Sequence, residues 1–159
     1  MKQLLRTLAE KYLLDQERQK ENQPVEKYKK SGLTKEQALI IRKRIEVAFE
    51  DEHMYRQNDI GLIELSKYVD FDRYKVSEVI NKYYAKNFYA LLNYYRIKEA
   101  KELLVAQPFS SVKAIMYEVG FNSKNSFYNA FKKDTGLSPN DYRNMWVYGG
   151  DALGQLQFQ

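Results

Sequence analysis

The chain has 159 residues, a formal net charge of +5, no cysteine and one histidine, a length that suits one or two small domains with a real core. Without cysteine there can be no disulfide, thiolate zinc site or cysteine nucleophile, and His53 alone cannot build a histidine-rich metal centre. No apolar run approaches the ~18 residues of a bilayer-spanning helix and no signal-peptide pattern opens the chain, so a soluble, cytoplasmic protein is expected.

The positive charge fits a nucleic-acid surface without requiring one. With three prolines and seven glycines, and Lys, Glu, Leu and Tyr abundant, the chain reads as all-α. Residues 1–24 carry Leu4, Leu5, Leu8, Tyr12 and Leu13, then the charged run DQERQKENQ. The heptad pattern fails after Tyr12, where Gln16 and Gln19 take the seam. This part, within a stretch 1–33, reads as a charged helical linker; a dimerising coiled-coil stub or the end of an upstream domain are the alternatives. Pro24 breaks the pattern, and VEKYKKSGL follows as a basic linker or strap.

Thr34 to Glu52 is predicted as a helix. Thr34 and Gln37 form a capping box, and Ala38, Ile41, Ile45, Ala48 and Phe49 line one face. Arg42, Lys43 and Arg44 on the outer face read first as solvated charge. Residues 61–84 then place Leu62, Leu65, Val69 and Phe71 before a turn and Val76, Val79 and Ile80 after it. Phe88 to Gln107 is a long helix with Ala90, Tyr94, Ile97, Ala100 and Leu104 along the expected buried side, and Pro108 ends it. At ~1.5 Å per residue its length is roughly 30 Å, close to the ~34 Å between successive major-groove faces on one side of B-DNA.

Residues 111–134 repeat the earlier design. Val112, Ile115, Met116 and Val119 make one helical stripe, Gly120 stands where a left-handed residue ends a helix, and Ser123 caps a second helix. Val112, Ile115, Val119 and Phe121 match Leu62, Leu65, Val69 and Phe71 at an offset of fifty. Beyond the turn the offset is fifty-one: Phe127, Ala130 and Phe131 match Val76, Val79 and Ile80. The caps agree too, Asn87 opposite Ser138, with Pro139 at the first helical position. Two copies of one helix-turn-helix unit are expected, as homeodomain-like lobes on a linker helix. A last helix from Pro139 to about Val147 is expected to pack Tyr142, Met145 and Trp146, ahead of a flexible tail, 148–159. Tyr68, Phe71, Tyr83, Phe88, Tyr89 and Tyr94 fall at helical spacing and read as core and lobe-packing residues, since stacking platforms suit open strands.

The segments LIELSKYVDFDRYKVSEVINKYYAKNFYALLNYYRIKEAKELL and SVKAIMYEVGFNSKNSFYNAFKKDTGLSPNDYR resemble the AraC/XylS family of bacterial transcription regulators. The VGF turn, the FKK run and the GLSP step carry the likeness, which spans roughly Thr34 to Trp146, so 34–147 is expected to be an AraC-type DNA-binding domain. The resemblance implies a sequence-specific binder of double-stranded DNA that reads two adjacent major-groove segments, and RNA polymerase as a further partner. It also implies an upstream ligand-sensing or dimerising domain, through which a homodimer would form. Some similar proteins carry the module behind a multi-span membrane sensor, although this segment itself is expected to make no membrane contact. No cofactor or metal is called for.

Chemistry picks out the candidate contacts. In the second unit Lys124, Asn125, Tyr128 and Asn129 can reach base edges, lysine donating to guanine and asparagine pairing with adenine. Ser123 and Ser126 are short enough for a phosphate near the helix N-terminus, and Lys132 and Lys133 suit the DNA backbone. The matching positions of the first unit give Arg73, Tyr74, Ser77, Asn81 and Lys82. Glu78, opposite Asn129, departs from the family pattern; a carboxylate facing the groove would weaken this unit or loosen its sequence demand. Arg96 matches an arginine that recurs in the family's linker helix, implying either a phosphate contact or a brace between lobes.

Two rival functions remain. Glu46, Glu50, Asp51, Glu52 and His53 cluster as an enzyme site might, but no second histidine, Gly-rich loop or nucleophile motif accompanies them, so no enzyme is expected. A helical protein-interaction module of the same fold, with little DNA affinity, is the alternative.

Overall fold

The computed structural model describes residues 31–149, and these are all-helical. The readings of residues 1–30 and 150–159 lie outside the described residues. Helix α1, Lys35–Glu46, opens on the expected capping box: the Thr34 hydroxyl accepts from the Gln37 amide at 3.2 Å, and the Gln37 side-chain oxygen accepts from the Thr34 amide at 3.4 Å. It does not run on as α-helix to Glu52. A π-helical turn, Val47–Asp51, takes over and buries Ala48 and Phe49, and His53, at φ 48°, turns the chain into a short 3₁₀ helix, Met54–Arg56.

Helices α2 (Leu62–Val69) and α3 (Arg73–Tyr84) form the first unit, and α4 (Phe88–Ala106) is the linker. Helices α5 (Val112–Glu118) and α6 (Lys124–Thr135) form the second unit, followed by α7 (Pro139–Val147). Asp72, Asn87, Ser111, Ser123 and Ser138 cap α3 to α7 with side-chain oxygens that accept helix-start amides, satisfying donors the helices cannot.

The duplication extends to backbone hydrogen bonds. Helix α2 ends with Asp70 at φ 56°, its amide donating to the Lys67 carbonyl and the Phe71 amide to that of Ser66. Helix α5 ends with Gly120 at φ 97°, its amide donating to the Tyr117 carbonyl and the Phe121 amide to that of Met116. Both close on a left-handed residue in the Schellman manner, fifty positions apart. The helix ahead of each unit is duplicated as well. Arg44 lies 5.6 Å from the Phe71 ring centroid and Arg96 5.3 Å from that of Phe121. Arg-Ile-x-x-Ala occurs at 44–48 and again at 96–100, an echo the apolar comparison does not catch.

Two cores share α4. The first gathers Ile41, Ile45, Phe49, Leu65, Val69, Val76, Val79 and Ile80 with Leu91, Leu92 and Tyr95 of the linker. The second gathers Ile97, Ala100 and Leu104 with Ile115, Met116, Val119, Phe121, Phe127 and Phe131. Full burial of Phe127 or Phe131 contributes about 1.5–3 kcal/mol each. Because each half of α4 faces a different lobe, a single apolar stripe does not describe it: Ala90 and Tyr94 are exposed, and Leu91, Leu92 and Tyr95 are buried in their place.

Other apolar expectations need the same correction. Phe88 is buried and Phe71 partly so, but Tyr68, Tyr83 and Tyr89 are exposed, Tyr89 at 68%. A tyrosine can lie on the surface with its ring beside a cation, as Tyr83 does with Arg42 and Tyr94 with Lys86. In α7, Tyr142 packs on the second core while Met145 and Trp146 are exposed.

The lobes meet where the 3₁₀ helix touches α4. Arg56 Nε donates to both Glu99 carboxylate oxygens at 3.1 Å, and its Nη2 donates to Oε1. Arg96, 6% exposed, donates through Nε to the Tyr55 carbonyl at 2.7 Å and through Nη2 to that of Gln57 at 2.8 Å. The same guanidinium covers Phe121 of the second unit, so one side chain ties both lobes together.

Candidate nucleic-acid interface

In the second unit α6 turns Phe127 and Phe131 inward and leaves Lys124, Asn125, Ser126, Asn129, Lys132 and Lys133 exposed. Tyr128 is half-buried, its ring edge-on to Phe127 and 5.3 Å from the Lys124 ammonium. Ser123 accepts from the Ser126 amide at 3.4 Å as the helix cap. The face thus carries two amides, a hydroxyl and three ammonium groups, the inventory suited to base edges and phosphates. Lys101 of the linker pairs with Asp134 at 2.7 Å and holds the far end of α6 to α4.

The first unit presents a different surface. Arg73 and Tyr74 are exposed at the start of α3, with Arg73 Nη2 donating to the Tyr74 hydroxyl at 3.0 Å. Ser77 and Asn81 are half-buried, and Asn81 Nδ2 donates to the Ser77 carbonyl at 2.8 Å. Lys82 is exposed and its ammonium lies 2.6 Å from Glu78 Oε1.

Glu78 does not face outward as the sequence comparison suggests. It is 6% exposed, and the Ser31 hydroxyl donates to its Oε2. Burial pushes its carboxyl up, but Lys82 and Ser31 outweigh that and hold it below the usual carboxylate range. The charge is neutralised within the protein.

Arg96 occupies the bracing position rather than the surface. Burial lowers its pKa to about 10, and its Nε and Nη2 donate to the two carbonyls. Arg44 is likewise no free cation: its Nη1 donates to the Val69 carbonyl at 2.5 Å at the turn of the first unit. Its partnership with Phe71, matching Arg96 with Phe121, is legible only through the repeated Arg-Ile-x-x-Ala.

The acidic group at the end of α1 serves the packing. Glu50 accepts from the buried Tyr95 hydroxyl at 3.1 Å, and His53 Nδ1 lies 3.0 Å from the Tyr55 hydroxyl. Among the described residues no cluster of His, Cys, Asp and Glu could hold a metal ion, and no helix is long and apolar enough to cross a membrane.

Two helix-turn-helix units on one linker helix, one of them with an open face of amides and lysines, define an all-helical double helix-turn-helix protein. A family model described as a helix-turn-helix domain matches residues 65–145. The chain belongs to that family, the AraC-type DNA-binding regulators of transcription. Among solved structures, the C-terminal domain of AraT, a response regulator from Geobacillus stearothermophilus, is 28% identical with a TM-score of 0.59, and the match covers 67% of this chain and 84% of that one. The C-terminal domain of the two-component response regulator yesN from Fusobacterium nucleatum is 26% identical with a TM-score of 0.56, covering 64% and 98%. A DNA-binding transcriptional dual regulator from Escherichia coli K-12 shares the fold at 17% identity, TM-score 0.58, covering 67% and 92%. No curated protein matches the sequence. Family and fold are those of regulators rather than enzymes.

Proposed function

We propose that the chain is a sequence-specific reader of double-stranded DNA whose two units enter adjacent major-groove segments, with α6 as the principal reading helix. The observation that carries this is the open face of α6, where Asn125 and Asn129 sit between Lys124 and the Lys132–Lys133 pair. Asn125 and Asn129 would specify bases, Lys124 would reach guanine, and Ser126, Lys132 and Lys133 would fix the register on phosphates. Arg73, Tyr74 and Lys82 would supply the contacts of the first unit at the two ends of α3, Glu78 between them being withdrawn.

Residues 34–147 would be the DNA-binding domain of a cytoplasmic regulator, with RNA polymerase and a second copy, joined through an upstream region, as further partners. Selection of bound duplexes from a random pool tests the reading. Enrichment of two conserved blocks about one helical turn apart is expected. A pool that stays random while the protein still binds would leave a non-specific DNA binder.

A further inference from the structure

The second helix of each unit opens on a cation, Arg73 in α3 and Lys124 in α6, at positions matched by the offset of fifty-one. Each cation lies over a tyrosine ring, Arg73 4.9 Å from the Tyr74 centroid and Lys124 5.3 Å from that of Tyr128. The two tyrosines are not matched by the repeat, because Tyr74 stands opposite Asn125 and Tyr128 opposite Ser77. Duplication therefore does not account for the pairing. It is reached from the next residue in one unit and from one helical turn onward in the other.

The pair in the first unit is the more constrained. Arg73 Nη2 donates to the Tyr74 hydroxyl at 3.0 Å, and both side chains are exposed, Tyr74 at 51%. A free guanidinium offers two forks of parallel N–H bonds, and Nη2 takes part in both. With one Nη2 hydrogen held by the tyrosine, a single fork stays open. A single fork is what guanine O6 and N7 accept.

The head of α3 also favours a base over a phosphate. Asp72 caps it, its carboxylate accepting from the Tyr74 amide at 2.8 Å, where the second unit has the neutral Ser123. A phosphate brought to the start of α3 would meet that carboxylate as a like charge, whereas the edge of guanine carries none.

Resting on the reading of α3 as a groove-entering helix, we propose that Arg73 reads a guanine through its remaining fork and that Tyr74 aims it. The ring holds the charge and the hydroxyl fixes the rotation of the guanidinium before DNA arrives, which lessens the ordering needed on binding. Tyr74 is thus a positioning residue, and its part in recognition passes through Arg73.

The test is a double-mutant cycle in the full chain, on a duplex recovered by selection and on its single-base-pair variants. Arg73→Ala should abolish discrimination at one G·C pair, a drop from about tenfold to a hundredfold down to none. Tyr74→Phe, which keeps the ring and every charge, should cut that discrimination about three- to tenfold and leave the salt slope unchanged. In the Arg73→Ala background Tyr74→Phe should do nothing further. An additional loss there means that the hydroxyl touches DNA itself, and it overturns the positioning role, as does unchanged discrimination in Tyr74→Phe alone. If Arg73→Ala instead weakens all duplexes alike, Arg73 is a phosphate contact and the proposal fails while the DNA reading stands. Loss of preference at an A·T pair overturns the guanine assignment. A parent chain that binds every duplex equally overturns this proposal and the sequence-specific reading together.

Discussion

A Cβ added at Gly120 would lie 2.5 Å from the carbonyl oxygen of Tyr55 and 2.8 Å from that of Arg56. The turn of the second unit is thus pressed onto backbone of the first lobe, at a φ of 97° that side chains rarely adopt. Gly120→Ala meets both the strain and the backbone clash, so it should lower stability by about 2–4 kcal/mol. Urea unfolding of the full chain checks this; a loss under about 0.5 kcal/mol would show that the lobes do not need that approach.

Arg96 offers a way to separate bracing from DNA contact. Arg96→Met removes the donors to the Tyr55 and Gln57 carbonyls and should cost about 2–4 kcal/mol. The salt slope of DNA binding by the folded variant should not change, because no phosphate contact is lost. A slope flatter by about 1 would return Arg96 to the DNA surface.

The buried tyrosines make the fold sensitive to alkali. Burial, ahead of the neighbouring Glu99, raises the Tyr55 hydroxyl to about 12, and burial likewise raises Tyr84 to about 12. Tyr95 is pushed up as well, first by burial and then by Glu50. A folded pKa above the unfolded value means stability fully present below pH 10 and lost as pH climbs through 12. Arg96 works the other way: its folded pKa of about 10 lies below 12.5, so its contribution improves over that window. With three groups against one, stability should fall above pH 10, and tyrosinate absorbance should rise in step with loss of helix. In Tyr55→Phe the fall should be shallower; an identical alkaline profile would remove Tyr55 from the account.

Two substitutions on α6 should behave differently. Asn129→Ala should relax sequence preference at one base pair, costing about 1–3 kcal/mol on the preferred duplex and little on others. Lys133→Ala should weaken all duplexes alike and flatten the salt slope by about 1. Competition binding on selected and scrambled duplexes distinguishes them, and a sequence-selective loss at Lys133 would refute its assignment to the backbone.

Much of the architecture is legible in the sequence because apolar side chains recur at helical spacing and caps need particular atoms. Val112, Ile115, Val119 and Phe121 mirror Leu62, Leu65, Val69 and Phe71, and the observed helices begin and end where those positions and the caps require. What pattern alone misses is a residue serving two neighbours. Tyr94 lies on the stripe drawn back from Ile97, but the first lobe approaches α4 from another side and buries Tyr95. The π-helical turn at Val47–Asp51 is hidden for a related reason, since Ala48 and Phe49 point inward in either helical form. On the candidate interface, the exposure of Lys124, Asn125 and Asn129 follows from the inward set of Phe127 and Phe131. The withdrawal of Glu78 does not, since one of its partners is Ser31, forty-seven residues away.

The most direct test of the central claim is a hydroxyl-radical footprint of the full chain on a duplex recovered by selection. Two protected segments about one helical turn, ~10 base pairs, apart on one side of the DNA are predicted. Protection of a single segment, or none, would contradict a reader built from two groove-entering units.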